Sequence, residues 1–157
     1  MNTTTIKASV ITLLAALTML LTNAHAQEPV QVGISYYPTN VINVSASIPM
    51  FTTEDVTHSA RAGITYAFSG LPAVNASYVL SGPREGRTQT YVGAGVGLAF
   101  PQAPAASPSL SGHALTGVNV LITHSFRAFT EVFVAGNSFG TRMSFGVGIN
   151  YAFGGGN

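Results

Sequence analysis

Histidine and serine are neighbours at two places in the chain, and these are the residue types that a nucleophilic enzyme combines. The pairs are His58-Ser59 and His124-Ser125, and a further histidine, His113, follows Ser109 and Ser111. A serine nucleophile needs an adjacent base and preferably an acid that orients the base. No acid lies near His113 in the sequence, and His-Ser neighbours in turns are more typical of capping groups. The sequence therefore favours a protein without enzyme activity.

Other site chemistries are disfavoured by what the chain lacks. It has no Cys, and the histidines that follow residue 26 show no metal-ligand spacing. The glycines of Gly93-x-Gly95-x-Gly97 alternate along one segment, unlike the spacing of a phosphate-binding loop. A formal net charge of +1 without a basic run is atypical of nucleic-acid binding. We predict no cofactor, no metal and no nucleic-acid partner.

The first 26 residues have the pattern of a cleaved secretory signal peptide. Lys7 precedes an apolar stretch that ends at Leu21, and Ala24-His25-Ala26 provides small residues at the cleavage site. The apolar stretch is shorter than the roughly 20 residues that a membrane-spanning helix needs. We predict an exported protein in which residues 27–157 form a single domain.

The rest of the chain repeats an alternation of apolar with small or polar residues, which is the period of a β-strand. Glycine, proline, asparagine and serine stand between the alternating segments, as expected of turns. The alternation predicts eight strands: Val30–Tyr37, Ile42–Met50, Ser59–Phe68, Ala73–Leu80, Tyr91–Phe100, His113–Thr123, Ala128–Gly136 and Arg142–Phe153. We place the remaining segments, including His124–Arg127, in turns and loops.

The charged residues indicate which face of these strands meets which environment. Only 7% of the chain is charged, against roughly 25% in an ordinary soluble domain. The charges within strands, Arg61, Glu131 and Arg142, all lie on the face of small and polar residues. A soluble barrel would turn that poorly charged face to water. A membrane barrel instead turns its apolar face to lipid and its polar face to the lumen.

This arrangement predicts an all-β fold, an eight-stranded antiparallel up-and-down transmembrane β-barrel. Lipid requires every backbone group to be paired, so the sheet must close on itself. Side chains fill the lumen of a barrel of eight strands. We expect Arg61 and Glu131 to pair there, because an unpaired buried charge is costly. We also expect Gly93, Gly95 and Gly97 to make room for large inward groups: Leu115, Leu121, Phe129 and Phe133.

A short sequence occurs twice. Thr57-His58-Ser59-Ala60-Arg61-Ala62 recurs as Thr123-His124-Ser125-Phe126-Arg127-Ala128. Both copies lie where an even-numbered predicted strand is followed by an odd-numbered one. Two explanations stay open, a duplicated four-strand unit and one turn chemistry used twice.

The last strand resembles a known signal. Gly148, Tyr151 and Phe153 match, position by position, the C-terminal recognition signal of outer-membrane barrels. In strand period, length and last strand the chain resembles the small eight-stranded outer-membrane barrels of the OmpX or OmpA membrane-domain type. The resemblance implies insertion by the outer-membrane assembly machinery and both termini in the periplasm.

The sequence thus predicts a monomeric, non-enzymatic outer-membrane barrel with a structural or interaction role in the cell envelope. Its expected partners are outer-membrane lipids, the assembly machinery and, as a further candidate, another envelope protein. Four alternatives stay open: a narrow small-solute channel, a lipid-modifying outer-membrane enzyme, a soluble secreted ligand-binding β-barrel and an aggregating extracellular β-protein.

Overall fold

The alternating segments form a closed antiparallel barrel of eight strands in the computed structural model, which describes residues 28–67, 72–100, 107–137 and 140–153. Each strand pairs with its neighbours in sequence, and β1 pairs with β8 to close the sheet. The strands are β1 (Val30–Tyr37), β2 (Val41–Thr53), β3 (Val56–Ala67), β4 (Ala73–Glu85), β5 (Thr88–Ala99), β6 (Ser109–Leu121), β7 (Phe126–Asn137) and β8 (Gly140–Phe153). The predicted fold class is confirmed.

The barrel has two different ends. At one end, which we call the terminus end, Glu28 and Phe153 lie beside the short connections 54–55, 86–87 and 122–125. At the other, which we call the loop end, the connections are 38–40, 68–72, 100–108 and 138–139. The predicted signal peptide, residues 1–26, lies outside the described residues. Within those residues, no helix is long and apolar enough to cross a membrane.

The two faces of the sheet have the predicted orientation. Apolar side chains point out of the barrel and are largely exposed, as in Ile34, Val92 and Ile149. Ser and Asn side chains and the charged residues Arg61, Arg127 and Glu131 point inward. Proline is compatible with strand β2 because Pro49 lies at a bulge in its pairing with β3, where a missing N–H costs no ladder hydrogen bond.

Several strands extend beyond the predicted bounds at the terminus end. Strand β2 continues to Thr53 and β4 to Glu85, so that two-residue turns replace the predicted loops. Strand β7 begins at Phe126, and this corrects the assignment of Arg127 to a turn. The polar residues at these strand ends resemble loop residues in sequence, although the backbone pairing continues through them.

Candidate functional site

Glu131 on β7 is the centre of the hydrogen-bonding network inside the barrel. Its side chain is only 4% exposed, and its carboxylate accepts hydrogen bonds from three other strands. The Tyr37 hydroxyl donates to Oε1 at 2.8 Å, Arg61 Nη1 to Oε2 at 2.7 Å, and the Tyr91 hydroxyl to Oε2 at 3.0 Å. Strands β1, β3, β5 and β7 are therefore joined across the lumen through one carboxylate.

Of the three charged residues predicted to face the lumen, the structure brings two together. The ion pair of Arg61 and Glu131 spans the lumen, and the Arg61 guanidinium also lies 5.0 Å from the centroid of the Tyr91 ring. Such a ring face stabilises a cation. Arg142 lies apart from this pair, exposed near the loop end of β8. Within the described residues its side chain has no ion pair.

Glycines allow the large lumen side chains to approach the barrel wall. A Cβ atom on Gly146 would lie 2.6 Å from Tyr37 Cε1, and one on Gly148 would collide with the Phe129 ring. A Cβ on Gly117 would similarly meet the Tyr91 ring at 2.5 Å. On β5 the expectation holds for Gly93, which Leu115 approaches, whereas His113 covers Gly95 and Ser111 lies over Gly97.

A serine and a histidine meet inside the barrel at positions that the sequence did not pair. Ser77 Oγ lies 2.7 Å from His113 Nε2, and the His113 ring stacks on Phe133 with centroids 4.9 Å apart. Ser77, Gly95 and His113 occupy one row of the sheet, so the two side chains meet over a residue without one. Within the described residues no carboxylate is hydrogen-bonded to His113.

The two residues of the pair His58-Ser59, in the first hexapeptide copy, lie on opposite faces of the sheet. His58 points outward, where Nδ1 lies 2.5 Å from the Tyr78 hydroxyl and the ring stacks on Phe51. Ser59 is buried in the lumen. Consecutive residues of a strand face opposite sides, so these two cannot form a catalytic pair.

The two hexapeptide copies do not occupy equivalent positions. Residues 57–62 all lie within β3, whereas residues 123–128 pass from a turn into β7. The first copy therefore lies in a strand and not in a turn, so one turn chemistry used twice does not explain the repeat. The copies lie on β3 and β7, four strands apart, and the duplicated four-strand unit stays a hypothesis. The copies do share one feature, since Arg61 and Arg127 both enter the lumen and each pairs with a glutamate.

A second cluster of charged residues lies at the terminus end of the lumen. Glu28, which precedes β1, places Oε2 3.2 Å from Arg127 Nη1 and Oε1 3.6 Å from Arg84 Nη2. The amide of Gln89 donates to Glu28 Oε1 at 3.3 Å. Arg127 is 4% exposed, and its Nε has no hydrogen-bond partner among the described residues. Glu28 is thus the carboxylate that compensates a buried arginine.

The lumen contains a cavity of about 360 Å³ near the loop end. Val79, Tyr91 and Leu115, on the adjacent strands β4, β5 and β6, form a buried apolar cluster. Polar lining residues include Asn43, Thr65, Asn75, Ser77, Ser144 and Arg142. No group of three or more metal-ligating side chains lies together in the described part of the chain.

The three residues of the predicted C-terminal signal lie on β8 near the terminus end. Gly148 faces the lumen, whereas Tyr151 and Phe153 point outward and are exposed. Their rings pack edge to face with centroids 4.8 Å apart, and Phe126 packs on Tyr151 at 5.1 Å. A role in assembly stays a prediction.

Comparison with known proteins rests on structure alone, because no protein-family model and no curated protein matches this sequence. The N-terminal β-barrel domain of Pseudomonas aeruginosa OprF superposes with a TM-score of 0.59 at 15% identity, covering 79% of this chain and 95% of that one. Neisserial surface protein A gives 0.52 at 13% identity, covering 79% and 93%.

A third match is the Yersinia pestis outer membrane protein Ail, determined in a phospholipid bilayer nanodisc. It has a TM-score of 0.53 at 12% identity and covers 81% of this chain and 100% of that one. The matches span almost the whole of each solved barrel. Strand number, closure and these superpositions together establish that the chain has the fold of the small eight-stranded outer-membrane β-barrels.

Proposed function

We propose that the chain spans the outer membrane of a bacterium as a non-enzymatic barrel with a structural or interaction role in the envelope. The observation that carries the proposal is the apolar outer face. Exposed Val, Ile, Leu, Met and aromatic side chains surround the barrel, while Arg61, Arg127 and Glu131 point inward and are paired. Water would disfavour so large an apolar surface, whereas lipid favours it.

The outward aromatic residues support this placement. Tyr36 and Tyr66 lie near the loop end, and a larger group lies near the terminus end. That group consists of Phe51, Phe126, Tyr151 and Phe153. Membrane barrels carry aromatic girdles at both interfaces, with the apolar band between them. The proposed partners are accordingly the outer-membrane lipids and the assembly machinery that inserts barrels, with another envelope protein as a further candidate.

Two measurements test the membrane placement. Expressed with its own leader, the protein should fractionate with outer membranes and migrate differently on a denaturing gel before and after boiling. Val92, near the middle of β5, is 51% exposed on the outer face. Val92→Arg should reduce membrane assembly, because Arg at the bilayer midplane costs about 2–4 kcal/mol. Asp55→Arg, in an exposed turn, is the matched control. The proposal would be contradicted if the protein without substitutions and the Val92→Arg variant were both recovered in a soluble fraction.

We propose further that the lumen does not conduct. The buried cluster of Val79, Tyr91 and Leu115 and the hydrogen-bonding network of Glu131 occupy the lumen, and barrels of eight strands are filled by side chains. Planar bilayers containing the purified protein should therefore show no steady ionic current. A steady current that depends on the protein would favour the channel alternative.

The Ser77–His113 pair is the observation that best favours an enzyme. Its serine lines the cavity, but the carboxylate oxygens of Glu131 are engaged by Tyr37, Arg61 and Tyr91. The pair therefore lacks the orienting acid that strengthens a histidine base. We expect that expression of the protein in bacteria leaves the acyl chains of their lipid A unchanged. Acyl loss that Ser77→Ala abolishes would support an enzyme.

A further inference from the structure

The loop-end cavity combines a volume suited to a small molecule, hydrogen-bonding groups and a net positive charge. Its volume of about 360 Å³ falls within the range of about 300–1,000 Å³ that is typical of small-molecule sites. Its lining contains two arginines, Arg61 and Arg142, and one acid, Glu131. The acid is paired with Arg61 at 2.7 Å, and among the residues that the structure describes Arg142 has no ion-pair partner.

The charge distribution of the whole barrel strengthens the positive potential of this cavity. The acids other than Glu131, which are Glu28, Glu54, Asp55 and Glu85, all lie at the terminus end. The sequences of the loop-end connections contain no Lys, Arg, Asp or Glu. Arg142 is therefore the charged residue at the mouth, beside apolar walls of low dielectric. Such surroundings strengthen and focus the field of a charge.

The wall opposite Arg142 presents hydrogen-bonding groups. Thr65 Oγ1 and Asn75 Nδ2 both donate to Asn43 Oδ1, at 3.1 and 3.4 Å, and Asn75 Nδ2 also lies 3.0 Å from Thr65 Oγ1. Within the described residues, these contacts leave the Asn43 amide N–H groups and the Asn75 carbonyl oxygen unused. Ser144, next but one to Arg142 on β8, adds a hydroxyl to the lining.

We propose that this cavity binds a small carboxylate that also carries hydroxyl groups, such as a sugar acid. Its carboxylate pairs with Arg142, because a guanidinium matches a carboxylate in charge and bidentate geometry. Its hydroxyl groups bond to Asn43, Asn75 and Ser144, which can both donate and accept. A neutral sugar lacks the first interaction. Inorganic phosphate has no hydroxyl groups apart from the charged group itself to bond to the opposite wall, so both bind more weakly.

The test uses the full chain, expressed with its own leader and extracted in detergent. Glucuronate is titrated into the labelled protein, and the backbone amide resonances of Ser144 and Asn75 are followed by NMR. We expect saturable shifts with glucuronate and much smaller ones with glucose or phosphate. Arg142→Gln should weaken the binding of glucuronate at least about tenfold, which equals about 1.4 kcal/mol of binding free energy. Arg142→Lys should restore part of this affinity. Arg87→Gln, in an exposed turn of the terminus end, should bind as the unchanged protein does.

Three outcomes would overturn this inference: no saturable shift, equal affinity for glucose or phosphate, or unchanged affinity in Arg142→Gln. Arg142 is exposed, so its replacement should leave folding intact. The heat-dependent gel shift of each variant, compared with that of the protein without substitutions, verifies that the barrel has folded. Binding depends on residues that line the lumen, whereas the membrane placement depends on the lipid-facing surface. Fractionation tests the membrane placement separately from the titration, so either proposal can fail alone.

Discussion

Arg61 Nη1 on β3 and Glu131 Oε2 on β7 lie 2.7 Å apart across the lumen. Three strands lie between β3 and β7 along the sheet in either direction, so the ion pair connects opposite walls of the barrel. Tyr37 and Tyr91 complete the hydrogen bonding of the same carboxylate. A buried ion pair repays its desolvation only when its remaining groups are also satisfied, and this network meets that condition.

Glu131→Gln should destabilise the barrel by about 3–5 kcal/mol, because it leaves the Arg61 charge buried without its carboxylate. The measurement is urea-induced unfolding in detergent, followed by the loss of the heat-dependent gel shift. Glu85→Gln, in which the acid is exposed at the end of β4, should change the free energy of unfolding by less than about 0.5 kcal/mol.

A double variant separates the ion pair from the rest of the network. Arg61→Met combined with Glu131→Gln removes both charges, so it should be less destabilised than the sum of the single changes. Additive single and double effects would mean that the pair contributes no coupling, contrary to the 2.7 Å contact.

Gly146→Ala should destabilise the barrel by about 1–3 kcal/mol, the usual effect of overpacking a filled interior. The added methyl would lie 2.6 Å from Tyr37 Cε1 and would displace the ring whose hydroxyl bonds to Glu131. Gly112→Ala is the control, since a Cβ there meets no atom within 4 Å. Equal midpoints of urea unfolding for both variants would contradict the role assigned to Gly146.

The alternating period of the sequence predicts most of this fold. In strands such as β5, Val92, Ala94 and Val96 alternate with glycines, so strand and face follow from the period alone. The bounds at the terminus end do not follow from it. Residues such as Thr52 and Arg84 are polar, but they continue the ladder past the apolar band.

The contacts of the site are harder to predict from the sequence, because they join strands that are distant along the chain. The pairing of Arg61 with Glu131 follows from the scarcity of charge, which leaves few partners. Ser77 and His113 are separated by 36 positions and meet only because Gly95 lies between them in the register. A glycine flanked by two inward polar residues in adjacent strands is the signal that would have found them. Glu28 was missed because it lies outside any alternating segment.

Glu28→Gln should loosen the start of β1. Glu28 bonds to Arg127 on β7 and lies 3.6 Å from Arg84 on β4, and it is the carboxylate that compensates the buried Arg127. Losing a hydrogen-bonded charge next to a buried arginine costs on the order of 1–3 kcal/mol. Hydrogen exchange should therefore accelerate at the amides of Val30 and Val32.

The exchange experiment has two controls within the same barrel. Glu85→Gln removes an exposed acid from the same end and should leave the exchange of β1 unchanged. Gln89 on β5 contacts Glu28, so the control amides are those near the other end of the strand, such as Val96 and Leu98, which should keep their rates in Glu28→Gln. Uniformly faster exchange in every strand would indicate global destabilisation instead of a local loosening at the N-terminal end.

Phe153→Ala should lower the amount of barrel assembled in the membrane, if the last strand carries the recognition signal that its sequence resembles. Phe145 provides a close control, because it lies on the same strand, points outward and is 52% exposed, against 53% for Phe153. Both substitutions remove a similar apolar area and cost similar lipid contact. Only Phe153 belongs to the predicted signal with Gly148 and Tyr151.

The readout is the fraction of heat-shifted protein in outer membranes during expression, together with the unfolding midpoint of the purified protein. A larger assembly defect in Phe153→Ala with matched unfolding midpoints would locate the signal at the end of β8, and equal defects would argue against it.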